Sequence, residues 1–366
     1  MSVETVETAP TWAELPGKGR AGRVKLVAWD LDNTLWDGVL LEGDELRLRE
    51  DVVQVIRDLD ELGVLHSVVS RNDPEQALAR LRAFGLEEYF LYPQIGWNAK
   101  SSSIAQIAKS VNIDVSAIAF VDDQAFELAE VAHALPQVVC VDVADLAAAV
   151  RQPEFRPRFV TAESARRREM YRQQIVRDDA EKDFVGPGDE FLSSLEMVFT
   201  IAAAREEDLQ RAEELTIRTN QLNSTGRTYS YEELDALRSS GDHLLLTAAL
   251  DDRFGTYGTI GLCLVEKGAT AWHLRLLLMS CRVVSRGVGT ILLNHVIGLA
   301  RAAGVPLRAD FVETGRNRMM QITYAFAGFE EVDRDGSRVT LEQNSAEDRP
   351  QPAFVTVLTD DVGADR

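Results

Sequence analysis

The chain has 366 residues, too many for one typical domain and suited to two of roughly 150 residues each. Apolar residues make up 45% of it and charged residues 27%, so globular cores can form and wholesale disorder is excluded. Asp and Glu outnumber Lys and Arg by 59 to 39, a net charge of −20, which argues against a protein that coats nucleic acid, because phosphate neutralisation needs clustered basic charge.

No apolar run approaches the roughly 18 residues of a membrane helix. The N-terminus, MSVETVETAP, has no hydrophobic stretch of the secretory kind. Cys140, Cys263 and Cys281 lie far apart and form neither a disulfide framework nor a zinc pattern. A cytoplasmic enzyme with no nucleic-acid or membrane partner is the expectation.

Residues 1–22 read as a loose polar tail. An apolar run from Val24 to Trp29 then ends at Asp30, a helical pattern covers 51–62, and a second run, Val64 to Val69, ends at Ser70. Asp73, Pro74 and Gly85 stand where a cap, a first-turn proline and a closing glycine belong. A helix over 100–111 precedes a third run, Ala117 to Val121, which ends at Asp122, and a fourth run spans Val138 to Val143. Strands alternating with helices at this spacing predict a parallel sheet over 23–150, with its ligand outside the C-terminal strand ends. Residues 151–190 read as a linker followed by a long charged helix. A second α/β unit is expected over 191–345: strands at 196–202, 244–250, 258–266, 271–279 and 307–312, with helices at 206–218, 231–238, 289–303 and 317–327. Residues 346–366 are left as a C-terminal tail.

The segment VAWDLDNTLWDG sets Asp30 and Asp32 two residues apart just after a buried strand. That spacing suits phosphoryl transfer: one carboxylate attacks phosphorus and the other protonates the leaving oxygen. Two anions beside a phosphate require a cation, and Asp122 and Asp123 at another strand end supply further oxygen ligands for Mg2+. Ser70 is placed to hydrogen-bond a phosphate oxygen, and Lys100 to neutralise an aspartyl phosphate. Each feature alone is a common turn or surface residue. Their convergence on one end of one sheet is what favours catalysis.

This constellation resembles the haloacid dehalogenase superfamily. The resemblance implies Asp30 as nucleophile, Asp32 as general acid, and Mg2+ held by Asp30, the backbone carbonyl of Asp32, and Asp122 or Asp123. The short spans from Thr34 to Ser70 and from Ser70 to Lys100 leave no room for a cap domain. Only Gly38–Leu48 is inserted, as a hairpin flap.

In the second unit, the apolar strand Leu274–Met279 ends at Ser280-Cys281, and Arg286-Gly287-Val288-Gly289-Thr290 opens a long amphipathic helix. Glycines at a helix start bring backbone amides close to an anion. This strand, loop and helix resemble the coenzyme A pyrophosphate site of GNAT acetyltransferases. Seven arginines between Arg275 and Arg318, against Asp310 and Glu313, give a local balance of +5, which would suit an acidic carrier protein. Cys140 and Cys263 read as small buried hydrophobes. Cys281, beside Arg282 at a strand end, is instead a candidate nucleophile.

The motifs WDLDNTLWDGVL, SRND, YPQIGWNAKS, FVDDQAFE, RTNQLNSTGRTYS, DRFGTYGTIG, LLLMSCRVVSRGVG and RNRMMQITYAFAGF together resemble the FkbH-like family, in which a haloacid-dehalogenase-type domain precedes a GNAT-like one. The resemblance implies transfer of a glyceryl unit from 1,3-bisphosphoglycerate, its dephosphorylation, and its loading through a Cys281 thioester onto the phosphopantetheine of an acyl carrier protein in polyketide biosynthesis. It also implies substrate contacts at Thr34, Arg71, Asn72, Asn220, Asn223, Asp252, Arg253 and Asn317. Arg282, Arg286, Gly287, Val288, Gly289 and Thr290 would hold the phosphopantetheine. Two other readings remain open at this level: a metabolite phosphatase fused to a coenzyme A-dependent acyltransferase, and a carrier-docking protein with a relic phosphatase.

Overall fold

The structure is a computed structural model that describes residues 22–219, 221–345 and 351–360. The expected N-terminal tail lies outside them apart from Gly22, as does Asn220. The chain divides into two compact units between Arg172 and Gln173. Among the described residues, no helix is long and apolar enough to cross a membrane.

In chain order the first unit holds β1 (Leu26–Trp29), a hairpin of β2 (Trp36–Asp37) and β3 (Arg47–Leu48), α1 (Glu50–Glu61), β4 (Leu65–Ser70), α2 (Pro74–Ala83), β5 (Gln94–Ile95) and α3 (Lys100–Val111). It continues with β6 (Ile118–Asp122), α4 (Ala125–Ala134), β7 (Val139–Asp142), α5 (Leu146–Ala149) and α6 (Ala162–Ala165). The sheet runs β5-β4-β1-β6-β7 with every neighbour parallel. Burial on both faces explains the unbroken apolar strands: all of β1 and β6 is buried.

α1 turns Val52, Val53, Ile56 and Leu59 inward at helical spacing, each stabilising by about 1.5–3 kcal/mol when fully buried. Asp73 caps α2 by accepting from the Gln76 amide at 2.9 Å, and Gly85, at φ 69°, carries the chain out through the left-handed region. The insertion after β1 is the expected hairpin, paired Trp36 to Leu48, and no domain interrupts the unit. The α/β class with a parallel sheet, read from the sequence, is the one observed.

Residues 151–172 are not a free linker. Phe155 is buried in the first core, and the Arg167 guanidinium donates to the Gly63 carbonyl. The charged stretch forms α7 (Arg167–Asp183), and the boundary between the units falls inside it.

The second unit continues with α8 (Gly188–Ser194), β8 (Met197–Ala203), α9 (Leu209–Arg218), α10 (Tyr231–Arg238), β9 (His243–Asp252), β10 (Gly255–Lys267) and β11 (Trp272–Met279). It ends with α11 (Val288–Ala302), β12 (Leu307–Val312), α12 (Arg318–Phe326), β13 (Phe329–Asp335), β14 (Arg338–Gln343) and β15 (Val355–Thr359). Its sheet runs β13-β14-β12-β11-β10-β9-β8-β15. The β11–β12 and β15–β8 pairs are parallel and the others antiparallel. Alternate residues of β11 serve two cores, Leu277 and Met279 with α11 and α12, Leu276 and Leu278 with α9 and α10. Three strands lie outside the sequence reading. β13 is charged and exposed after its first residue, so it shows no apolar alternation. β15 forms in the expected tail because β8 offers it an edge, Val355 opposite Met197.

Candidate functional site

The first site stands at the C-terminal ends of β1, β4 and β6. Pairing continues one residue past β1, where the Asp30 amide donates to the Val121 carbonyl at 3.0 Å. This fixes Asp30, only 4% exposed, beside β6. Lys100 opens α3 and is buried. Its ammonium lies 3.0 Å from Asp30 Oδ1 and bonds Asp122 Oδ2, with the Phe120 ring 5.5 Å away. Asp122 Oδ1 accepts from the Gln124 amide at 2.8 Å.

Carboxylate oxygens of Asp30, Asp122 and Asp123 lie within 4.8 Å of one another. Three carboxylates against one ammonium leave a net negative charge in a largely dry site. Burial raises the Asp30 carboxyl to about 7, against the opposing pull of Lys100 and with a further push from Asp122. Asp123 is likewise raised by burial and by Asp122. Burial works against the charge on Lys100, but Asp30 and Asp122 outweigh it, and its pKa rises. Clustered hard oxygens with uncompensated charge fit Mg2+.

Asp32 is held differently. Its Oδ1 accepts from the Trp36 indole at 2.8 Å and the Leu40 amide at 3.0 Å, and its Oδ2 from Asn72 at 2.9 Å. Three donors, two of them from the flap region, aim this carboxyl while leaving Asp30 to the cation cluster. Two expected substrate contacts also have partners within the site. The Asn72 amide nitrogen is committed to Asp32 and, at 3.4 Å, to Ser70. Fully buried Thr34 donates to Asp123 at 3.4 Å. Both position the carboxylates. Arg71 remains at the rim, its side chain 42% exposed and 3.3 Å from Glu127. Trp36 was absent from the sequence reading, although its place two residues after Thr34 in the same motif was a usable signal.

The second site lies where β11 ends. β11 and β12 pair only from Trp272–Leu307 to Leu274–Ala309 and then part. Between them sits the segment Leu222–Ser224. The Ser224 amide donates to the Leu277 carbonyl, Met279 donates to Leu222, and the Val312 amide of β12 donates to Ser224. Asn317 locks this wedge, its amide nitrogen donating to the carbonyls of Asn223 at 3.0 Å and Val312 at 2.9 Å, while its oxygen accepts from the Thr314 amide. Asn223 accepts from the amides of Thr225 and Gly226 and donates to the Arg227 carbonyl. Asn223 and Asn317, expected on substrate, are buried pegs of this wedge, 0% and 2% exposed.

Asp252 is likewise held within the fold. It forms a bidentate pair with Arg177 at 2.7 and 2.8 Å, and its side chain is fully buried. Arg253 is exposed, and its guanidinium lies over the Phe254 ring at 4.8 Å.

Cys281 begins a 3-10 turn, Cys281–Arg286, directly after β11. It is half-buried, and none of the three cysteines is in a disulfide. Burial pushes the Cys140 thiol up to about 12 and that of Cys263 higher still, so both stay protonated at neutral pH.

Gly287, at φ 72°, is the N-cap of α11, and no side chain caps the helix. A cavity of about 90 Å³ lies against it, lined by Leu222, Met279, Gly287, Gly289, Thr290 and Met320 among others. Val288 faces the core. The arginines of this loop turn away from the expected phosphate. Arg282 donates to the Tyr257 carbonyl at 2.8 Å, and Arg286, 0% exposed, pairs with Glu181 at 3.1 Å. The local charge of +5 is also reduced in space: Arg275, Arg286 and Arg308 meet Glu266, Glu181 and Glu342, all outside the counted stretch.

No family model matches the chain, and no curated protein matches it. Among solved structures it is similar to the N-terminal part of protein BF1531 from Bacteroides fragilis, which contains a phosphatase domain and is complexed with Mg. The identity is 22%, the TM-score 0.32, and the match covers 35% of this chain and 39% of that one. The chain thus spans about two fifths of that structure's length. It is also similar to the PaiA N-acetyltransferase of Thermoplasma acidophilum in complex with coenzyme A, at 20% identity and TM-score 0.33, covering 40% of this chain and 99% of that one. A third similarity is to the GNAT domain of S. lividans PAT, at 18% identity and TM-score 0.32, covering 39% and 88%.

Proposed function

We propose that the chain joins a Mg2+-dependent phosphatase to an acyltransferase. It takes a glyceryl unit from 1,3-bisphosphoglycerate, removes the C3 phosphate in its first unit, and passes the acyl group through Cys281 to an acyl carrier protein. The observation that carries the reading is the cluster of buried Asp30, Lys100 and Asp122 with half-buried Asp123 at one end of the parallel sheet.

An Asp30 oxygen attacks the C3 phosphorus, the bond to the glyceryl oxygen breaks, and Asp32 gives that oxygen its proton. Water then cleaves the aspartyl phosphate, Asp32 taking the water's proton back. Asp30, Asp122 and Asp123 would hold Mg2+, which when bound supplies the positive charge that lets an anionic phosphate approach. Lys100 opposes the burial that favours the neutral form of Asp30.

The C1 acyl phosphate is already activated. The Cys281 sulfur attacks the carbonyl carbon, the C1–oxygen bond breaks, and inorganic phosphate leaves with the thiol proton. Exchange with a phosphopantetheine thiol then regenerates Cys281. The Gly287–Thr290 cavity supports an entry route for a pantetheine arm. The same cavity favours a second reading, transfer from coenzyme A.

One incubation tests both. The protein, Mg2+ and 1,3-bisphosphoglycerate are combined with and without carrier and followed by intact mass. Without carrier, a hydroxylamine-sensitive three-carbon adduct on Cys281 is expected. With carrier, the adduct moves to it. Absence of any adduct, together with acyl transfer from acyl-coenzyme A, would replace the glyceryl reading by the second one. In Asp30→Asn, C3 phosphate release should vanish, and its persistence would remove Asp30 as nucleophile.

A further inference from the structure

The turn that carries Cys281 is held from outside the sheet by one face of α7. Arg177 and Glu181 are one helical turn apart and so share that face. Arg177, 1% exposed, clamps Asp252 with two bonds and donates a third to the Gly255 carbonyl at 3.0 Å. Its guanidinium lies over the Tyr257 ring at 4.0 Å. Asp252 also accepts from the Tyr257 hydroxyl at 3.2 Å and the Phe254 amide at 2.9 Å. Tyr257, fixed on both its ring and its hydroxyl, presents its carbonyl to Arg282, the residue after Cys281. At the other end of the turn, Arg286 reaches Glu181 and sits over the Phe191 ring at 5.7 Å. Ser280, just before the cysteine, is pinned to β10 through the Ile260 carbonyl at 2.6 Å.

We propose that Arg177 and Glu181 of α7 are positioning residues for the Cys281 nucleophile, acting through Asp252–Tyr257–Arg282 at one end of its turn and through Arg286 at the other. The inference rests on Cys281 being the acyl-capturing thiol. It gives Asp252 and Arg286, both singled out as sequence motifs, a role without ligand contact. The geometry makes the case. A 3-10 turn has poorer backbone hydrogen bonding than an α-helix, so its shape depends on what its side chains grip. Here both arginines of the turn lead to one helix face, Arg286 directly through Glu181 and Arg282 through Tyr257 and Arg177. Burying two guanidiniums is costly unless each is paired, which ties the register of the turn to that of α7.

The test measures three-carbon capture at Cys281 and, separately, the pH profile of Cys281 alkylation by iodoacetamide, mapped by mass, in Glu181→Ala, Glu181→Asp, Arg286→Met and Arg286→Lys. Glu181 is the gentlest point of entry because its side chain is 45% exposed. Glu181→Ala and Arg286→Met should lower capture by up to about 10²-fold, the scale expected of a nucleophile displaced by about 1 Å. Both should also shift the alkylation profile, and the Asp and Lys variants should recover part of each loss. C3 phosphate release should stay at the wild-type rate throughout. Wild-type capture with an unshifted profile in Glu181→Ala would overturn the proposal, even if Arg286→Met fails to fold. If wild-type protein captures no acyl group, the glyceryl reading fails on its own, and the alkylation profiles still decide whether α7 positions Cys281.

Discussion

Lys100→Met separates the two electrostatic parts of the first site. The wild-type ammonium is 3% exposed and contacts two carboxylates that are 5% and 0% exposed. Methionine keeps the length of the side chain and removes its charge, leaving Asp30, Asp122 and Asp123 with no counter-ion of their own. Breaking a buried pair from one side costs about 3–5 kcal/mol. At about 2–4 °C per kcal/mol for a unit of this size, the melting temperature of the first unit should fall by about 6–20 °C in chelator. Mg2+ at 100 times its dissociation constant returns about 2.7 kcal/mol. The variant should therefore gain more from Mg2+ than wild-type does, because its site is more negative, while C3 phosphate release is lost. The sign with pH follows from Asp30, whose carboxyl is raised by burial already and rises further without Lys100. Between the unfolded value of about 3.9 and about 7, both folded proteins hold that proton and lose stability alike. Above about 7 wild-type Asp30 ionises and the variant's does not, so the deficit should deepen as pH rises past about 7. Calorimetry in chelator and in Mg2+, at two pH values, reads all of this. An equal loss of melting temperature with and without Mg2+ would refute a shared cation cluster.

Cys281→Ala should form no three-carbon adduct and load no carrier, whereas Cys140→Ala and Cys263→Ala should still form it by intact mass, since both thiols are buried and protonated. Asn317→Ala should destabilise the second unit by about 1–3 kcal/mol in denaturant titration, as the Val312 and Asn223 carbonyls lose their shared donor; an unchanged midpoint would deny the wedge its structural role. His66, fully buried and accepting from the Trp29 indole at 3.0 Å, has its pKa lowered by burial to about 3. The folded state keeps it neutral while the unfolded chain takes a proton below about pH 6.5, so acidification from pH 7 to 5 should cost about 2 kcal/mol through this residue. His66→Gln should remove that share of the pH dependence in urea melts.

The first site was legible because three of its residues end apolar runs. Asp30 follows Trp29, Ser70 closes β4, and Asp122 closes β6, so a break in hydropathy marks the place where chemistry can reach a sheet. The second site was legible only to its backbone. Cys281 and Gly287 could be placed at a strand end and a helix start, but the directions of Arg282 and Arg286 depend on partners elsewhere in the fold. Glu181 lies 105 residues from Arg286, and Arg177 lies 75 from Asp252. Nothing local to RVVSRG distinguishes an arginine that faces a phosphate from one that faces a buried carboxylate. The link between Asn223 and Asn317 is hidden for the same reason, since they are 94 residues apart yet joined by one hydrogen bond. Local charge counting is blind to the same distances, since it leaves out the carboxylates that folding brings to Arg275, Arg286 and Arg308.

The proposed substrate presents two phosphates that need opposite treatment, and the two sites differ accordingly. A C3 monoester has a poor leaving group and hydrolyses very slowly in water, so its removal needs a nucleophile, an aimed acid and concentrated positive charge. The first site offers Asp30, a thrice-bonded Asp32 and a carboxylate cluster fit for a divalent cation. A C1 acyl phosphate needs none of that concentration of charge. It needs a thiol held still at an accessible strand end, and a carboxylate cluster there would repel it. The turn after β11 meets that need with Arg282 bonded to the Tyr257 carbonyl, Arg286 paired with Glu181, and a small, largely apolar cavity at its exit. Neither environment could be merged with the other without loss, since the cluster that accelerates phosphoryl transfer would raise a neighbouring thiol's pKa and suppress its thiolate. On the proposed reading, separate units would be the physical solution to doing both reactions on one three-carbon substrate.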